Sequence, residues 1–217
     1  MESLKKAIDA FVNAFKIADL RKKLLFTLGV LIIYRIGAHI TIPGVNSAVL
    51  GEYFRNSNNL FGLYDSFTGG AFAKATVFAL GIMPYISASI IIQLMGAVIP
   101  AIQMLQKEGQ EGRAKLNQYT RYFTVVLAAL QGWGVSVWLS NLKVTTAAGT
   151  GISVLLDDFA SGMGNIGFRL LATLTFTTGT IFVMYLGEQI TSRGVGNGIS
   201  LIIFAGIVGG LPRAVFA

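Results

Sequence analysis

Side chains able to do acid–base or metal chemistry are scarce in this sequence. Its one histidine, His39, cannot build a histidine-based metal centre, and the lack of cysteine excludes thiolate ligands and cysteine nucleophiles. Serine is plentiful, but no histidine or lysine base lies at the depth of an apolar segment to activate it. The sequence therefore predicts no enzymatic activity, no metal site and no cofactor.

The carboxylates argue against ion-coupled transport for a related reason. A proton- or sodium-coupled transporter usually keeps an ionisable group within its path through the membrane. No carboxylate lies at the centre of an apolar segment, so the sequence shows no coupling residue. The carboxylates are Glu2, Asp9, Asp19, Glu52, Asp65, Glu108, Glu111, Asp157, Asp158 and Glu188.

Arg35 is the charged residue placed most unusually, because it lies in the outer part of the first apolar segment. An arginine inside a membrane segment suggests a functional site. An arginine close to the interface can instead extend its charged end to water, and the sequence favours this second interpretation. His39 follows near the end of the same segment, where an interfacial role is favoured over a catalytic one.

The overall composition is that of an integral membrane protein. Hydrophobic residues make up 53% of the 217 residues and charged residues 12%, which is roughly half the charged share of an ordinary globular domain. Glycine, at 26 residues, suits close helix packing in a bilayer. In so apolar a chain, the formal charge of +7 indicates basic cytoplasmic loops and gives no sign of specific nucleic-acid binding.

Apolar stretches of roughly the 20 residues that are needed to cross a bilayer recur along the chain. The second stretch is interrupted by Pro84, and the last reaches Pro212 early. The sequence predicts an all-α integral membrane protein built as a five-span helical bundle. The predicted spans are 24–42, 77–101, 122–139, 170–187 and 199–217.

The distribution of lysine and arginine orients these spans, because cytoplasmic loops carry an excess of both. With the N-terminus inside, segments 1–23, 103–121 and 188–198 face the cytoplasm and hold eleven of the 17 basic residues. The sequence thus predicts a multi-pass protein with a cytoplasmic N-terminus. Residues 21–217 would form the bundle. Residues 1–20 are predicted to form an amphipathic interfacial helix with lysines near anionic lipid, or else a helix packed on another protein.

Two connections are unusual. The segment 59–72 is too short and polar to span the bilayer and too apolar for water, so it is either re-entrant or a half-buried outer cap. The segment 188–198 carries glycines at alternate positions and predicts a tight cytoplasmic turn. The basic loop 107–115 fits either a docking surface for a cytoplasmic partner or a determinant of topology.

Several collinear blocks, spread over nearly the whole chain, form a recognisable pattern. They are the run Phe78–Leu94 and the shorter blocks Lys107-Glu108-Gly109, Gly112-Arg113, Gln118–Tyr122, Gly187–Thr191 and Gly196–Ile207. Together they resemble the SecY family of bacterial protein-conducting channels. The long run resembles that family's second span, and the shorter blocks resemble its first large cytoplasmic loop and the approach to its fifth span.

The resemblance implies a fold and a set of site residues. The family is a ten-span clamshell of two inverted halves, and this chain resembles the first half. The implied hydrophobic pore ring is Ile82, Ile86, Ile199 and Ile203. The implied plug, a short re-entrant helix over about 60–72, comprises Leu60, Phe61, Gly62, Leu63, Tyr64, Asp65, Ser66, Phe67, Thr68, Gly69 and Gly70. The implied lateral gate includes Ser87, Ile90, Ile91 and Gln131, and the implied cytoplasmic partner loop includes Lys107, Arg113, Lys115 and Arg121.

The resemblance also implies partners and a location. Expected partners are SecE and SecG subunits, signal sequences and nascent chains, and the SecA motor and ribosome, the last two mainly through the second half of the family's fold. The expected location is the bacterial cytoplasmic membrane. Two other classes stay open from residues alone, a half-sized secondary transporter built on an inverted repeat and a membrane scaffold that only binds a partner.

Overall fold

A computed structural model describes residues 17–56, 60–145, 151–156, 159 and 163–216. The interfacial helix predicted for residues 1–20 therefore lies almost wholly outside the described residues. The described chain is predominantly helical, with one short antiparallel hairpin. The helices are α1 (Ala18–Gly37), α2 (Ser47–Asn56), α3 (Leu60–Thr68), α4 (Met83–Val98), α5 (Pro100–Lys107), α6 (Gln110–Asn141), α7 (Met163–Arg193) and α8 (Gly198–Phe216); the strands are β1 (Lys143–Thr145) and β2 (Gly151–Ser153).

Within the described residues, two helices are by themselves long and apolar enough to cross a membrane. They are α6 and residues 164–193 of α7. The bent pair of α4 and α5 would count as a third span if it is taken as one unit. Helix α1 carries Asp19, Lys23 and Arg35 within its length, and the apolar part of α8 is short. The count of five spans stays a prediction.

The predicted span 77–101 is only partly helical, because α4 begins at Met83. Residues before it form buried turns, and the segment 75–77 pairs with 40–42 through Ile42 N to Ala75 O at 3.0 Å and Val77 N to Ile40 O at 2.9 Å. Gly81 has a φ of +55°, which ends the turns, and Pro84 suits the first turn of a helix.

The same span also ends in a sharp bend. Helix α5 leaves α4 at 103°, with Ile99 extended between them and Pro100 opening the new helix. The helical part of the predicted span is therefore the 16 residues of α4, about 24 Å long by helical rise.

The antiparallel pair of α6 and α7 is the most extensive contact between helices in the described chain. Five buried residues of α6 recur at four-residue intervals, which places them on one stripe: Thr120, Thr124, Ala128, Gly132 and Ser136. All are small, so the two backbones approach closely, as in other membrane helix pairs. A Cβ added at Gly132 would lie 3.4 Å from the Cβ of Phe176, which is fully buried on α7.

Candidate functional site

Three of the four isoleucines of the implied pore ring line one apolar cavity. Ile82, Ile86 and Ile203 line a cavity of about 230 Å³, and Ile199 packs in the same buried cluster. Ile82 is buried, with 6% of its surface exposed, and the other three are half-buried. The ring candidates therefore come together in space although more than 100 residues separate the two pairs in sequence.

Each pair of isoleucines is placed by the first turn of a helix. Ile82 precedes α4, and the Ile86 N–H donates to the Ile82 carbonyl at 3.1 Å, so both side chains fall on one stripe. At the start of α8, the Asn197 side chain accepts from the Ile199 N–H at 3.0 Å and from the Ser200 N–H at 3.3 Å. This cap fixes where α8 begins.

The turn before α8 is tight, as the alternating glycines predict. Gly196 has a φ of +74°, and the Gly198 N–H donates to the Thr191 hydroxyl at 2.9 Å. The Val195 N–H donates to the Thr27 hydroxyl on α1 at 3.2 Å. The turn therefore joins α1, α7 and α8 at one end of the bundle.

The implied plug forms the nine-residue helix α3, whose end reaches the cavity. Phe67 and Thr68 line the cavity together with the isoleucines, and Thr68 is 2% exposed. Gly69 and Gly70, with φ of +67° and +85°, then turn the chain away. The structure places the implied plug directly against the implied ring.

Three side chains of α3 hold its end in place. The Tyr64 hydroxyl donates to the Leu80 carbonyl at 3.0 Å. The Asp65 carboxylate accepts from the Ala73 N–H at 2.8 Å, and the Thr68 hydroxyl accepts from the Phe72 N–H at 3.2 Å. These bonds join α3 to the turns that lead into α4.

Arg35 reaches inward to this region, in contrast to the interpretation that the sequence favoured. One guanidinium nitrogen, Nη1, donates to the Gly69 carbonyl at 3.2 Å, and the other, Nη2, donates to the Gly209 carbonyl of α8 at 2.9 Å. The arginine is half-buried and contacts backbone from two elements. In the sequence, the charge of Arg35 within an apolar segment was the feature that indicated a functional role for it.

Tyr34 is a cavity residue that the sequence analysis did not single out. Its ring is 2% exposed, lines the cavity and lies 5.9 Å from the ring of Phe78 in a stacked arrangement. Ile202 of α8 also lines the cavity. Tyr34 is an ordinary aromatic residue in an apolar run, so no sequence signal separates it from its neighbours.

The implied lateral-gate residues lie on two helices that pack against each other, with Ser87, Ile90 and Ile91 on α4 and Gln131 on α6. Gln131 lines a separate cavity of about 380 Å³ with Tyr64 and Trp138, whereas Ser87 and Ile91 are half-buried on α4 and Ile90 is 51% exposed. No hydrogen bond between Ser87 and Gln131 occurs in the described part of the chain. Their role in a gate stays a prediction.

The implied partner loop presents exposed basic side chains at the α5–α6 connection. Lys107, Arg113, Lys115 and Arg121 are all exposed. Lys115 lies 3.6 Å from the Glu108 carboxylate, and Arg121 lies 2.7 Å from that of Glu188, joining α6 to α7. Arg121 therefore also has an intramolecular contact.

Comparison with known proteins relates this arrangement to channels. The SecY family model matches residues 76–217. Curated relatives named protein translocase subunit SecY include that of Streptomyces scabiei, 47% identical over 97% of this chain and 47% of that protein. Those of Pseudomonas aeruginosa and Escherichia coli K12 are 50% and 48% identical, over 96% and 92% of this chain and 44% and 42% of theirs. The chain spans less than half the length of these relatives.

Solved channel structures share the fold. One titled "The structure of a protein conducting channel" aligns with a TM-score of 0.60 and 21% identity, over 87% of this chain and 36% of that one. Sec61 in the canine ribosome-channel complex from the endoplasmic reticulum aligns with a TM-score of 0.58 and the same identity and coverage. The helical arrangement described above is therefore that of this channel fold.

Proposed function

Because the chain belongs to the SecY family, we propose that it is the N-terminal half of the central pore of a bacterial protein translocase. The pore conducts unfolded secretory chains across the cytoplasmic membrane and releases membrane helices sideways into lipid. This half supplies the plug, two pairs of ring isoleucines and one side of the lateral gate. It has no enzymatic activity of its own.

The observation that carries this proposal is the cavity shared by α3 and the isoleucines. Ile82, Ile86 and Ile203 face it from two helices, and Phe67 and Thr68 close it from a third element that is too short to span. Isoleucine side chains offer nothing to hydrate an ion, so a ring of them excludes ions by excluding water. They are also flexible enough to yield around a passing chain.

The proposal extends to orientation and partners. The N-terminus and the exposed basic α5–α6 connection face the cytoplasm, in keeping with the excess of lysine and arginine there. SecE and SecG subunits complete the membrane complex, and signal sequences and nascent chains are the substrates. The ribosome and the SecA motor dock from the cytoplasm, mainly on the second half of the channel.

The proposal is tested by site-specific photocrosslinking from Ile86 to an arrested secretory chain, in the full-length channel with its second half present. We expect strong crosslinks at Ile86. The matched control is Leu174 on α7, which is apolar, 72% exposed and on a helix outside the implied ring and gate, and few crosslinks are expected there. No crosslink at Ile86, in a complex shown to hold the arrested chain, would overturn the proposal.

A further inference from the structure

We propose that Arg35 is a latch that holds the plug helix α3 against α8 in the closed channel. This inference rests on the proposed function, in which α3 must leave for the pore to open. Arg35 is then a positioning residue: it touches neither the substrate nor the ring, and it sets how readily the plug is released.

The geometry of the guanidinium carries the proposal. Its two terminal nitrogens donate to carbonyls of different elements, Gly69 at 3.2 Å and Gly209 at 2.9 Å. The guanidinium is planar with donors at fixed angles, so one side chain fixes the position of both carbonyls relative to α1. These bonds connect residues 34 and 174 positions apart, whereas the Tyr64 bond stays within the segment 60–82.

The position of Gly69 strengthens the link. Gly69 immediately follows α3, where the last helical carbonyls lack partners inside the helix and the helix dipole is negative. A cation is favoured at such an end. In the described residues Arg35 forms no ion pair with a carboxylate. The Gly69 and Gly209 carbonyls accept the hydrogen bonds of its guanidinium.

The contact between the end of α3 and α8 explains why the hydrogen bonds of Arg35 affect the docking of α3. The end of α3 is in close backbone contact with α8. A Cβ on Gly69 would lie 2.6 Å from the Gly206 carbonyl oxygen, and a Cβ on Gly206 would lie 2.6 Å from the Phe67 carbonyl oxygen. On its other side, Phe67 borders the cavity of about 230 Å³. Tyr64, Asp65 and Thr68 join this helix end to the turns of its own segment. The two bonds of Arg35 instead join it to α1 and α8, so loss of this charged donor should weaken the docking of α3 on α8.

The test uses Arg35→Met and Arg35→Lys in the full-length channel complex. Methionine removes every donor, whereas lysine keeps the charge but lacks the fork that reaches both carbonyls at once. Resting ion conductance is measured in planar bilayers, and hydrogen exchange is measured over residues 62–73. Hydrogen bonds to charged groups are strong enough that we expect both variants to raise resting conductance about tenfold, with faster exchange confined to that segment.

Arg169 provides the matched control. It is also a half-buried arginine, and its Nε donates to the Ser140 hydroxyl of α6 at 3.1 Å, away from the plug. Arg169→Met and Arg169→Lys should leave the conductance and the exchange of residues 62–73 unchanged. If Arg35→Met does not assemble, Arg35→Lys decides the test, and a normal conductance in Arg35→Lys would overturn the latch.

Ile86→Asn separates failure of the latch from failure of the channel proposal, because a polar ring residue should let water and ions enter. Increased conductance in Ile86→Asn without any increase in the Arg35 variants would overturn the latch alone. Unchanged conductance in Ile86→Asn as well, in complexes shown to be assembled, would overturn the proposed function.

Discussion

The contact between α6 and α7 and the contact between α3 and α8 are built differently. The first runs along most of two helices of 32 and 31 residues, with small side chains buried at every fourth position of α6. The second is limited to the end of a nine-residue helix, where glycine meets glycine and Arg35 donates to two carbonyls. Two helices in van der Waals contact along most of their length come apart only if the whole contact is lost. A small contact held by a few hydrogen bonds can instead open locally while the rest of the protein stays folded. The difference distinguishes a frame, the pair of α6 and α7, from a movable part, the helix α3 that the proposed function requires to move.

Removing a buried side chain from the frame should have the largest effect. Phe176 is fully buried where α7 meets Gly132 of α6. Phe176→Ala leaves a cavity in a close contact and should lower the free energy of unfolding by about 3 kcal/mol. Thermal unfolding of the detergent-solubilised full-length complex measures the loss.

The control for that variant is Leu174→Ala on the same helix, where the side chain is 72% exposed. Its melting temperature should change little. Equal losses in Phe176→Ala and Leu174→Ala would show that the α6–α7 contact is no tighter than the rest of the surface, and the distinction between frame and movable part would fail.

Weakening the hold on the movable part should have a smaller effect on stability. Tyr64→Phe removes the donor to the Leu80 carbonyl while keeping the ring. We expect a loss of about 1 kcal/mol in the docking of α3, seen as faster hydrogen exchange over residues 62–73 at an almost unchanged melting temperature.

Tyr122→Phe is the matched control, since it removes a hydroxyl that accepts from Gln118 at 3.0 Å on an exposed surface of α6. It should not alter exchange in α3. A global loss of stability in Tyr64→Phe, with uniform exchange throughout the chain, would mean that α3 belongs to the frame.

The smallest expected effect concerns the ion pair at one end of the frame. The Arg121 and Glu188 side chains are 51% and 26% exposed, so water screens their attraction. A double-mutant cycle with Arg121→Gln and Glu188→Gln should give a coupling of about 0.5 kcal/mol that falls as salt is added. A coupling of several kcal/mol, independent of salt, would show that this pair contributes as much to the frame as the buried seam.

The sequence predicted the long helices and the short element between spans with fair accuracy. The predicted segment 60–72 contains α3, and the predicted spans 122–139 and 170–187 lie inside α6 and α7. It did not predict that residues 77–82 are turns, because buried turns and a buried helix are equally apolar. Only Gly81 and Pro84 indicate turns and not helix in this stretch. The sequence also did not predict the bend at Pro100, because the residues on both sides of that proline are apolar.

The partners of Arg35 could not be predicted from the sequence. Both acceptors are backbone carbonyls, which every residue carries, so nothing in the residue types at positions 69 and 209 identifies them. The ring isoleucines became candidates only through the resemblance, since isoleucine pairs at helical spacing usually face lipid or packing partners. The structure adds the cavity that joins them to the end of α3.

The glycine contact between α3 and α8 also restricts how this region can vary by mutation. Any replacement of Gly69 or Gly206 adds at least one carbon atom, and at either position that atom would lie 2.6 Å from a backbone carbonyl oxygen of the other element. Even alanine at either position would disturb the contact, so substitutions at these two glycines cannot change its stability in small steps. Graded variation in the firmness of this contact should therefore arise at neighbouring positions whose side chains line the cavity, such as Phe67 or Ile203.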